Sequence, residues 1–422
     1  MSKQQISQRR GRIAWLLYDW ADTAFASLIQ TFVFAAYFTQ ALAPNAETGT
    51  RWWGFAIGGA GVVVALLAPV LGAAADRSGR LKPWLGSFAL LCALATAGLS
   101  QMSPGEGMAL CAMLLVALGT IGAQCAMIFY NAMLPHLIPA AKQGLWSGWG
   151  WGMGYFGGLL CLLAAWLLFL GDYPLVSLDK TTGAPVRAVC VLTAGWIICF
   201  TLPLMRFTPD RGGASVPLAR AISEGLAQLC KSLREIRRYR NLWRFLLAHL
   251  FYRDALAALF AMGGVFAAGT FGLMPRELLM FGVMLSVTSG IGAIGFAWID
   301  QRIGSHRTIV LALLGLMVSA ALLLFAARSV ELFWVFGGIM GLFCGPVQAS
   351  SRALLGQLAP EALRTQMFGL YALSGRATAF VGPLLVGWVT ALSGSQRIGM
   401  ASLLVLFAVG FGVLLSVRGR TQ

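Results

Sequence analysis

Charged residues are scarce in this chain of 422 residues, since only 11% are Asp, Glu, Lys or Arg, against about 25% in ordinary soluble proteins. Acids are the rarer sign, with 15 Asp and Glu against 31 Lys and Arg. Hydrophobic residues make up 58% of the chain, so too few polar groups remain to cover a soluble protein of this length. The composition excludes a soluble domain and indicates a polytopic membrane protein.

The residue patterns of metal sites and of catalysis are also missing. The three His and eight Cys show no ligand or disulfide spacing, and no P-loop or nucleophile–base pair is present. Gly152, Gly154 and Gly157 match a dinucleotide fingerprint formally, but they follow no strand and lie inside an apolar run. We therefore predict no metal, no cofactor and no enzymatic activity, and we exclude an ATP-driven pump.

The net charge of +16 reflects membrane topology and predicts no nucleic-acid partner. Most Lys and Arg fall on one side of the membrane when the N-terminus is placed in the cytoplasm, which is the positive-inside pattern. This distribution predicts an inner cell-membrane protein with both termini in the cytoplasm. The first apolar run is too long for a cleavable signal peptide.

Twelve apolar runs predict an all-α membrane protein with twelve transmembrane helices; the first run is 13–43, the eleventh 363–392 and the twelfth 397–417. The polar stretch 207–241 separates two sets of six. We predict an N-terminal six-helix bundle at 1–206, a cytoplasmic linker at 207–241 and a C-terminal bundle at 242–422. Apolar residues at helical spacing in 216–240 predict an amphipathic helix on the lipid bilayer, or alternatively a partner-binding helix.

The two halves of the sequence resemble each other. "LPHLIPAAKQGLWSG" at 134–148 aligns with "LGQLAPEALRTQMFG" at 355–369 at a constant offset of 221 residues. A half with six spans returns to the same side of the membrane, so the repeats are parallel. This arrangement predicts two pseudo-symmetric six-helix bundles, as in major facilitator transporters.

"GAAADRSGRLK" at 72–82 resembles the signature loop of the major facilitator superfamily. Its matching residues are Gly72, Asp76, Arg77, Gly79 and Arg80. Asp76 is expected near a helix end and Gly79 in a tight turn. We expect the Asp76 carboxylate to hold basic groups and the N-terminus of a helix from the other half, which would latch one conformation.

Four further stretches resemble the vacuole-effluxer branch of that superfamily, which includes the yeast autophagy-related amino-acid exporter and bacterial permeases. They are "AWLLYDWADTAFASLIQTFVF", "YNAMLPHLIP", "GWGWGMGYFGG" and "PVQASSRALLGQLAP". The resemblance implies the major facilitator fold and export of an amino acid or similar metabolite. The branch usually has Asn and Ser where this chain has Asp22 and Thr23.

Asp19 and Asp22 lie in the first apolar run, where an acid costs about 2.5–3.5 kcal/mol. Residues three apart share one helix face, with a rise of about 4.5 Å between them. Two carboxylates this close are not both readily ionised in a low dielectric, so they can share a proton. We predict a proton or substrate site here; the alternative is a structural Asp19 paired with an Arg and a hydrogen-bonded Asp22.

The apolar runs also contain Arg253, Asp254, Arg352 and Arg376. Arg253 and Asp254 are consecutive and point about 100° apart, so they are not each other's partner. A buried Arg can bind a carboxylate through two hydrogen bonds, which suits an amino acid or organic anion. Arg352 is either such a site or half of a gating salt bridge, and Arg376 is the preferred contact for the substrate.

Polar and aromatic side chains on four runs complete the predicted substrate or proton site. Polar groups inside spans are expected to face a polar cavity and not lipid. Trp151 and Tyr155 either line that cavity or pack against helices, and Gly150, Gly154 and Gly158 permit close helix packing. The additional candidates are Tyr18, Gln124, Asn131, Trp151, Tyr155 and Gln348.

These features together predict a monomeric secondary transporter that moves a small polar solute by alternating access. Protonation of the Asp19/Asp22 pair is the expected coupling step, and export is the expected direction. An uncoupled uniporter or a multidrug exporter is the alternative within transport. A membrane receptor or lipid-handling protein on the same scaffold is the alternative outside transport.

Overall fold

The computed structural model describes residues 3–78, 80–104, 107–171, 173–179, 181–210, 239–375 and 381–417. Within these ranges all regular structure is helical. We number the longer α-helices α1 Lys3–Ala24, α2 Ala46–Ser78, α3 Lys82–Gly98, α4 Met108–Leu137, α5 Gln143–Ala165, α6 Ala184–Phe207, α7 Arg240–Phe271, α8 Pro275–Ile303, α9 Ser305–Ala321, α10 Val330–Leu358, α11 Arg364–Ser374, α12 Val381–Ser393 and α13 Gln396–Leu415.

Among the described residues, 11 helical segments are long and apolar enough to cross a membrane. They correspond to every predicted run except the eleventh, 363–392, which contains the shorter helices α11 and α12. Many large apolar side chains on these segments are exposed, as expected where helices face hydrocarbon. Examples are Phe55, Leu66, Leu94, Leu110 and Val405. The chain is a multi-pass membrane protein, and the predicted all-α membrane fold is confirmed.

The first span widens into π-helical turns directly after its two acids. Phe25–Phe32 and Phe38–Leu42 are π-helical and flank the short α-helix Phe34–Tyr37. Thr31 Oγ1 donates to Ala26 O at 2.8 Å, five residues back. Phe25 and Phe38 are buried in an apolar cluster to which α3 and α4 also contribute. π-helical turns occur often at functional sites.

The sequence repeat is reproduced in the structure element by element. In the first copy, α4 ends at Leu137, a single 3₁₀ turn covers Ala140–Lys142, and α5 begins at Gln143. In the second copy, each of these boundaries lies 221 residues later: α10 ends at Leu358, the 3₁₀ turn covers Glu361–Leu363, and α11 begins at Arg364. The two halves therefore share local structure at this position.

Two compact units make up the chain. The first unit comprises Met1–Leu67, Ser78–Met133 and Met153–Ser215. The second comprises Ala68–Arg77, Leu134–Gly152 and Val216–Gln422. The domain boundaries predicted from sequence stay a prediction. Most of the predicted amphipathic helix, 216–240, lies outside the described residues.

Glycines of α5 bring it close to α1 within the first unit. A Cβ on Gly154 would lie 3.0 Å from Thr23 Oγ1, and one on Gly158 would lie 2.9 Å from Ser27 Oγ. A Cβ at either position would require the neighbouring side chain to move, so glycine permits the close approach. The close helix packing predicted for Gly154 and Gly158 is confirmed, and the glycine pattern lies in a helix, as the rejection of a dinucleotide site requires.

Candidate functional site

Asp19 is fixed inside the first unit by an aromatic cluster. Its side chain is 5% exposed, and Oδ2 accepts a hydrogen bond from the Tyr130 hydroxyl of α4. The Tyr130 ring is stacked 4.7 Å from Trp15 and lies 4.9 Å from Tyr18. Trp15 Nε1 also donates to the Tyr130 carbonyl at 3.1 Å. Asp19 is therefore held in one orientation.

Asp22 lies in a different environment, although it is only three residues further along α1. Its side chain is half-buried, whereas Asp19 is buried. Because the half-buried positions 22, 26 and 30 follow each other at helical spacing, Asp22 belongs to a partly accessible stripe that runs into the π-helical turns. The structure thus separates the two acids into one fixed group and one accessible group.

The same stripe ends in a polar contact that the sequence reading missed. Gln30 Nε2 donates to Thr120 Oγ1 of α4 at 2.8 Å, and Thr120 is buried. Gln30 is a polar residue inside the first apolar run, which was the available signal. On α4, Gln124 and Asn131 are half-buried, as is Tyr155 on α5.

In the second unit, α7 carries a consecutive cation and acid that have separate partners. Arg253 Nη1 donates to Gln348 Oε1 of α10 at 3.0 Å. Asp254 is 3% exposed, and its carboxylate lies beside Gly382 of α12, where a Cβ would be 3.5 Å from Asp254 Oδ1. Among the described residues, Asp254 Oδ1 has no hydrogen-bond partner. The prediction that Arg253 and Asp254 do not pair with each other is confirmed.

A buried group of aromatic and hydroxyl side chains surrounds this part of α7. His249 Nδ1 shares a hydrogen bond with Ser374 Oγ at 2.9 Å, and its ring is stacked 3.9 Å from Tyr371. The hydroxyls of Tyr252 and Ser351 are 2.6 Å apart. These contacts connect α7 to α10 and to the last turn of α11. They place His249 in a packed interior position.

Arg352 ties α10 to the first turns of α5. Its side chain is 1% exposed. Nε donates to Ser147 Oγ and Nη2 to Ser147 O, both at 2.8 Å. The guanidinium carbon also lies 5.8 Å from the centre of the Trp151 ring. These contacts use several N–H groups of Arg352, and the roles of Arg352 and Trp151 stay predictions.

In the signature loop, the carboxylate of Asp76 accepts two hydrogen bonds from backbone N–H groups at the start of α11. Thr365 N donates to Oδ1 at 3.0 Å, and Gln366 N donates to Oδ2 at 2.8 Å. The first N–H groups of a helix lack partners within the helix and carry partial positive charge. Gly72 permits the approach, because a Cβ there would lie 2.6 Å from Thr365 O. Asp76 therefore caps α11.

Asp300, at the end of α8, lies at the start of α5, as Asp76 lies at the start of α11. It is 4% exposed, and Oδ1 accepts from Ser305 Oγ at 2.8 Å. A Cβ on Gly144 would overlap this carboxylate. Since Gly144 corresponds to Thr365 at the repeat offset, both carboxylates lie at equivalent helix starts. The weak sequence match between "DRSGR" and "DQRIG" was the signal for this pair.

We expect Asp76→Asn to destabilise the protein by about 1–2 kcal/mol, because one of its two hydrogen bonds to backbone N–H groups is lost. A carboxamide accepts hydrogen bonds only at its oxygen, so its NH₂ group would face one of the two backbone donors. The measurement is the free energy of unfolding in detergent. Asp179→Asn, in an exposed loop, is the matched control, and equal stability of the two variants would contradict the cap.

Some predicted candidates cannot be placed. Gly79 and Arg376 lie outside the described residues, the Arg77 side chain is not described, and Arg80 is exposed. Within the described ranges, no three His, Cys, Asp or Glu side chains come close enough to hold a metal ion. The remaining candidates are divided between the two units, and their assignment to substrate or proton stays a prediction.

Comparisons with known proteins identify the family. The model of the family described as Vacuole effluxer Atg22 like matches residues 55–145 and 142–421. The uncharacterized MFS-type transporter YxiO of Bacillus subtilis is 26% identical over 413 residues, which cover 97% of this chain and 95% of that protein. Autophagy-related protein 22 of Cryptococcus neoformans is 25% identical over 65% of this chain, which spans only 51% of that protein.

Solved structures show the same fold. The major facilitator superfamily transporter FucP in its outward conformation aligns with a TM-score of 0.75 at 14% identity, covering 98% of this chain and 100% of FucP. The proton:xylose symporter XylE aligns with a TM-score of 0.68 at 14% identity, covering 96% of this chain and 94% of XylE. YxiO and FucP are MFS transporters, and XylE is a symporter. The chain belongs to the Vacuole effluxer Atg22 like family and has the fold of major facilitator superfamily transporters.

Proposed function

We propose that the protein is a proton-coupled secondary transporter that exports a small polar solute, an amino acid or similar metabolite, by alternating access. In this mechanism the two halves expose one site first to one side of the membrane and then to the other. The protein works as a monomer in the inner cell membrane with both termini in the cytoplasm. Protons move through the Asp19/Asp22 pair.

The contrast between the two acids of α1 carries this proposal. Asp19 is buried and held by Tyr130, whereas Asp22 is half-buried and lies at the start of the π-helical turns. Acids inside a membrane span are costly and commonly serve in proton relays. A fixed acid beside an accessible one suits the uptake of a proton from water and its release during the cycle.

Relatives support the solute class and the coupling. Autophagy-related protein 22 belongs to the same family as this chain, and the resemblance to its branch favours an amino acid. XylE, which shares the fold, is a proton:xylose symporter. The high proportion of Lys and Arg on one side of the membrane favours a cytoplasmic location of both termini.

The test is charge movement by the reconstituted full chain on a solid-supported membrane, with tracer flux for electroneutral cycles. The panel contains the standard amino acids and small organic acids at several pH values. A solute-dependent, pH-dependent signal supports proton-coupled transport. Flux that is the same at every pH would favour an uncoupled uniporter, and no flux of any panel member would contradict the proposed solute class.

A further inference from the structure

Arg253 is a cation inside a membrane span without a matching anion among the described residues. Its side chain is half-buried, and Gln348 Oε1 accepts its hydrogen bond. No carboxylate within the described part of the chain forms an ion pair with it. A guanidinium has five N–H donors, so the described residues leave most of its hydrogen-bonding capacity for another group. An unpaired charge at membrane depth is costly.

Two other arginines of the second unit show how such charges are satisfied by the chain itself. Arg352 is buried and donates to both the hydroxyl and the carbonyl oxygen of Ser147. Arg397 donates to Leu324 O at 2.6 Å and to Ala327 O at 3.0 Å, where a helix ends. Each of these two arginines has two acceptor oxygens, and Arg352 is the buried arginine of the two. Arg253 differs from both in having a single acceptor among the described residues, and it is half-buried, as Arg397 is.

Gln348 fixes the direction of the Arg253 guanidinium. Gln348 is 8% exposed, and its Nε2 donates to Cys344 O at 3.3 Å, one turn back on α10. The carboxamide is thus oriented with its oxygen towards Arg253. Gly375 gives the arginine room, because a Cβ there would lie 3.3 Å from Arg253 Cγ. Asp254 does not neutralise Arg253, since its carboxylate faces α12.

We propose that Arg253, oriented by Gln348, binds the carboxylate of the transported solute. A carboxylate can accept two parallel hydrogen bonds from one guanidinium and supply the missing negative charge. This inference rests on the proposed transport function and narrows it to carboxylates, such as amino acids and organic acids. Neutral sugars and simple amines lack the group that Arg253 recognises. Arg253 is the binding residue and Gln348 is a positioning residue.

The test is binding to the purified full chain, with the standard L-amino acids, acetate, lactate and succinate as probes. Each probe is compared with its carboxamide by ligand-induced thermal stabilisation and by calorimetry. We expect at least one carboxylate to bind the wild type, and its carboxamide to bind at least about tenfold more weakly. A hydrogen bond to a charged group contributes about 1.5–3 kcal/mol, which corresponds to about 10–100-fold in affinity.

The variants separate recognition from folding. Arg253→Gln should weaken carboxylate binding by about 10–100-fold, and Arg253→Lys by less, because it keeps the charge but loses the planar fork. Gln348→Leu should weaken carboxylate binding several-fold. It should reduce the affinity for the carboxamide less than the affinity for the carboxylate. Arg302→Gln, at an exposed position of α8, is the matched control and should bind as the wild type. Ligand-free thermal stability and size-exclusion profiles identify folded variants.

Two results would overturn the inference while leaving transport intact. One is a folded Arg253→Gln that binds the carboxylate as tightly as the wild type. The other is a wild type that moves solutes without a carboxylate, or binds the carboxamides equally well. A wild type that neither binds nor moves any probe would instead contradict the proposed solute class, and the inference with it.

Discussion

Asp22→Asn is expected to abolish proton-driven accumulation of the solute while leaving downhill exchange. Asparagine matches aspartate in size and still forms hydrogen bonds, but it does not titrate. One coupled proton in an electroneutral cycle supports about tenfold accumulation for each unit of pH gradient, because one pH unit corresponds to about 1.4 kcal/mol. The variant should bring this ratio close to one, whichever direction the wild type drives the solute.

The measurement is the accumulation ratio in proteoliposomes under an imposed pH gradient, using the solute found for the wild type. A readout that needs no solute is the infrared carbonyl band of a protonated carboxylic acid, recorded as a pH difference spectrum. This band should lose its Asp22 component in the variant. Asp179→Asn, in an exposed loop, should match the wild type in both assays.

Asp19→Asn shows which acid carries the proton. The Tyr130 hydroxyl donates to Asp19, and the carboxamide oxygen of the variant can still accept this bond. If Asp19→Asn abolished accumulation and Asp22→Asn did not, the proton would reside on the fixed acid and the assignment of Asp22 would be wrong. If neither variant changed accumulation, the coupling group would lie outside α1.

The spans, the repeat and the glycine packing could be predicted because each depends on residues that are close together in the sequence. Apolar runs indicate membrane-spanning helices, which satisfy their backbone hydrogen bonds internally. The repeat preserves the prolines and the 3₁₀ turns at one constant offset, so Pro139 and Pro360 mark equivalent positions before α5 and α11. The spacing of Gly154 and Gly158 predicts a close helix contact, but it does not indicate which helix is the partner.

Pairings between distant residues could not be read in the same way. Tyr130 bonds to Asp19, 111 residues away, and Arg253 bonds to Gln348, 95 residues away. These contacts depend on how helices are arranged, which a single sequence does not record. Arg352 shows the consequence: the sequence left a substrate site or a gating salt bridge open, and the structure adds two hydrogen bonds to Ser147. The π-helical turns after Asp22 also lack a local signal such as proline.

Gly144→Ala is expected to destabilise the protein far more than a methyl group added at an open glycine position. The new Cβ would overlap the Asp300 carboxylate, which is buried and held by Ser305. Overpacking costs about 1–3 kcal/mol and occasionally more, and we expect about 3 kcal/mol because the obstacle is a desolvated polar group. The measurement is the free energy of unfolding in detergent, beside the yield of monodisperse protein.

The matched control is Gly295→Ala on α8, the helix that ends near Asp300. A Cβ at Gly295 meets no atom within 4 Å, so the same methyl group should be neutral there or stabilise the helix slightly, since alanine favours helix by about 1 kcal/mol over glycine. Equal losses at Gly144 and Gly295 would show that the cost of Gly144→Ala does not come from the carboxylate.

Combining Gly144→Ala with Asp300→Ala separates the clash from the loss of the Asp300–Ser305 hydrogen bond. Asp300→Ala alone loses the bond to Ser305, a cost of about 1 kcal/mol. Once the carboxylate is absent, the methyl group at position 144 has room, so the double variant should be close in stability to Asp300→Ala alone. Such non-additivity is characteristic of residues in contact. Additive losses would mean that the cost of Gly144→Ala does not come from the Asp300 carboxylate.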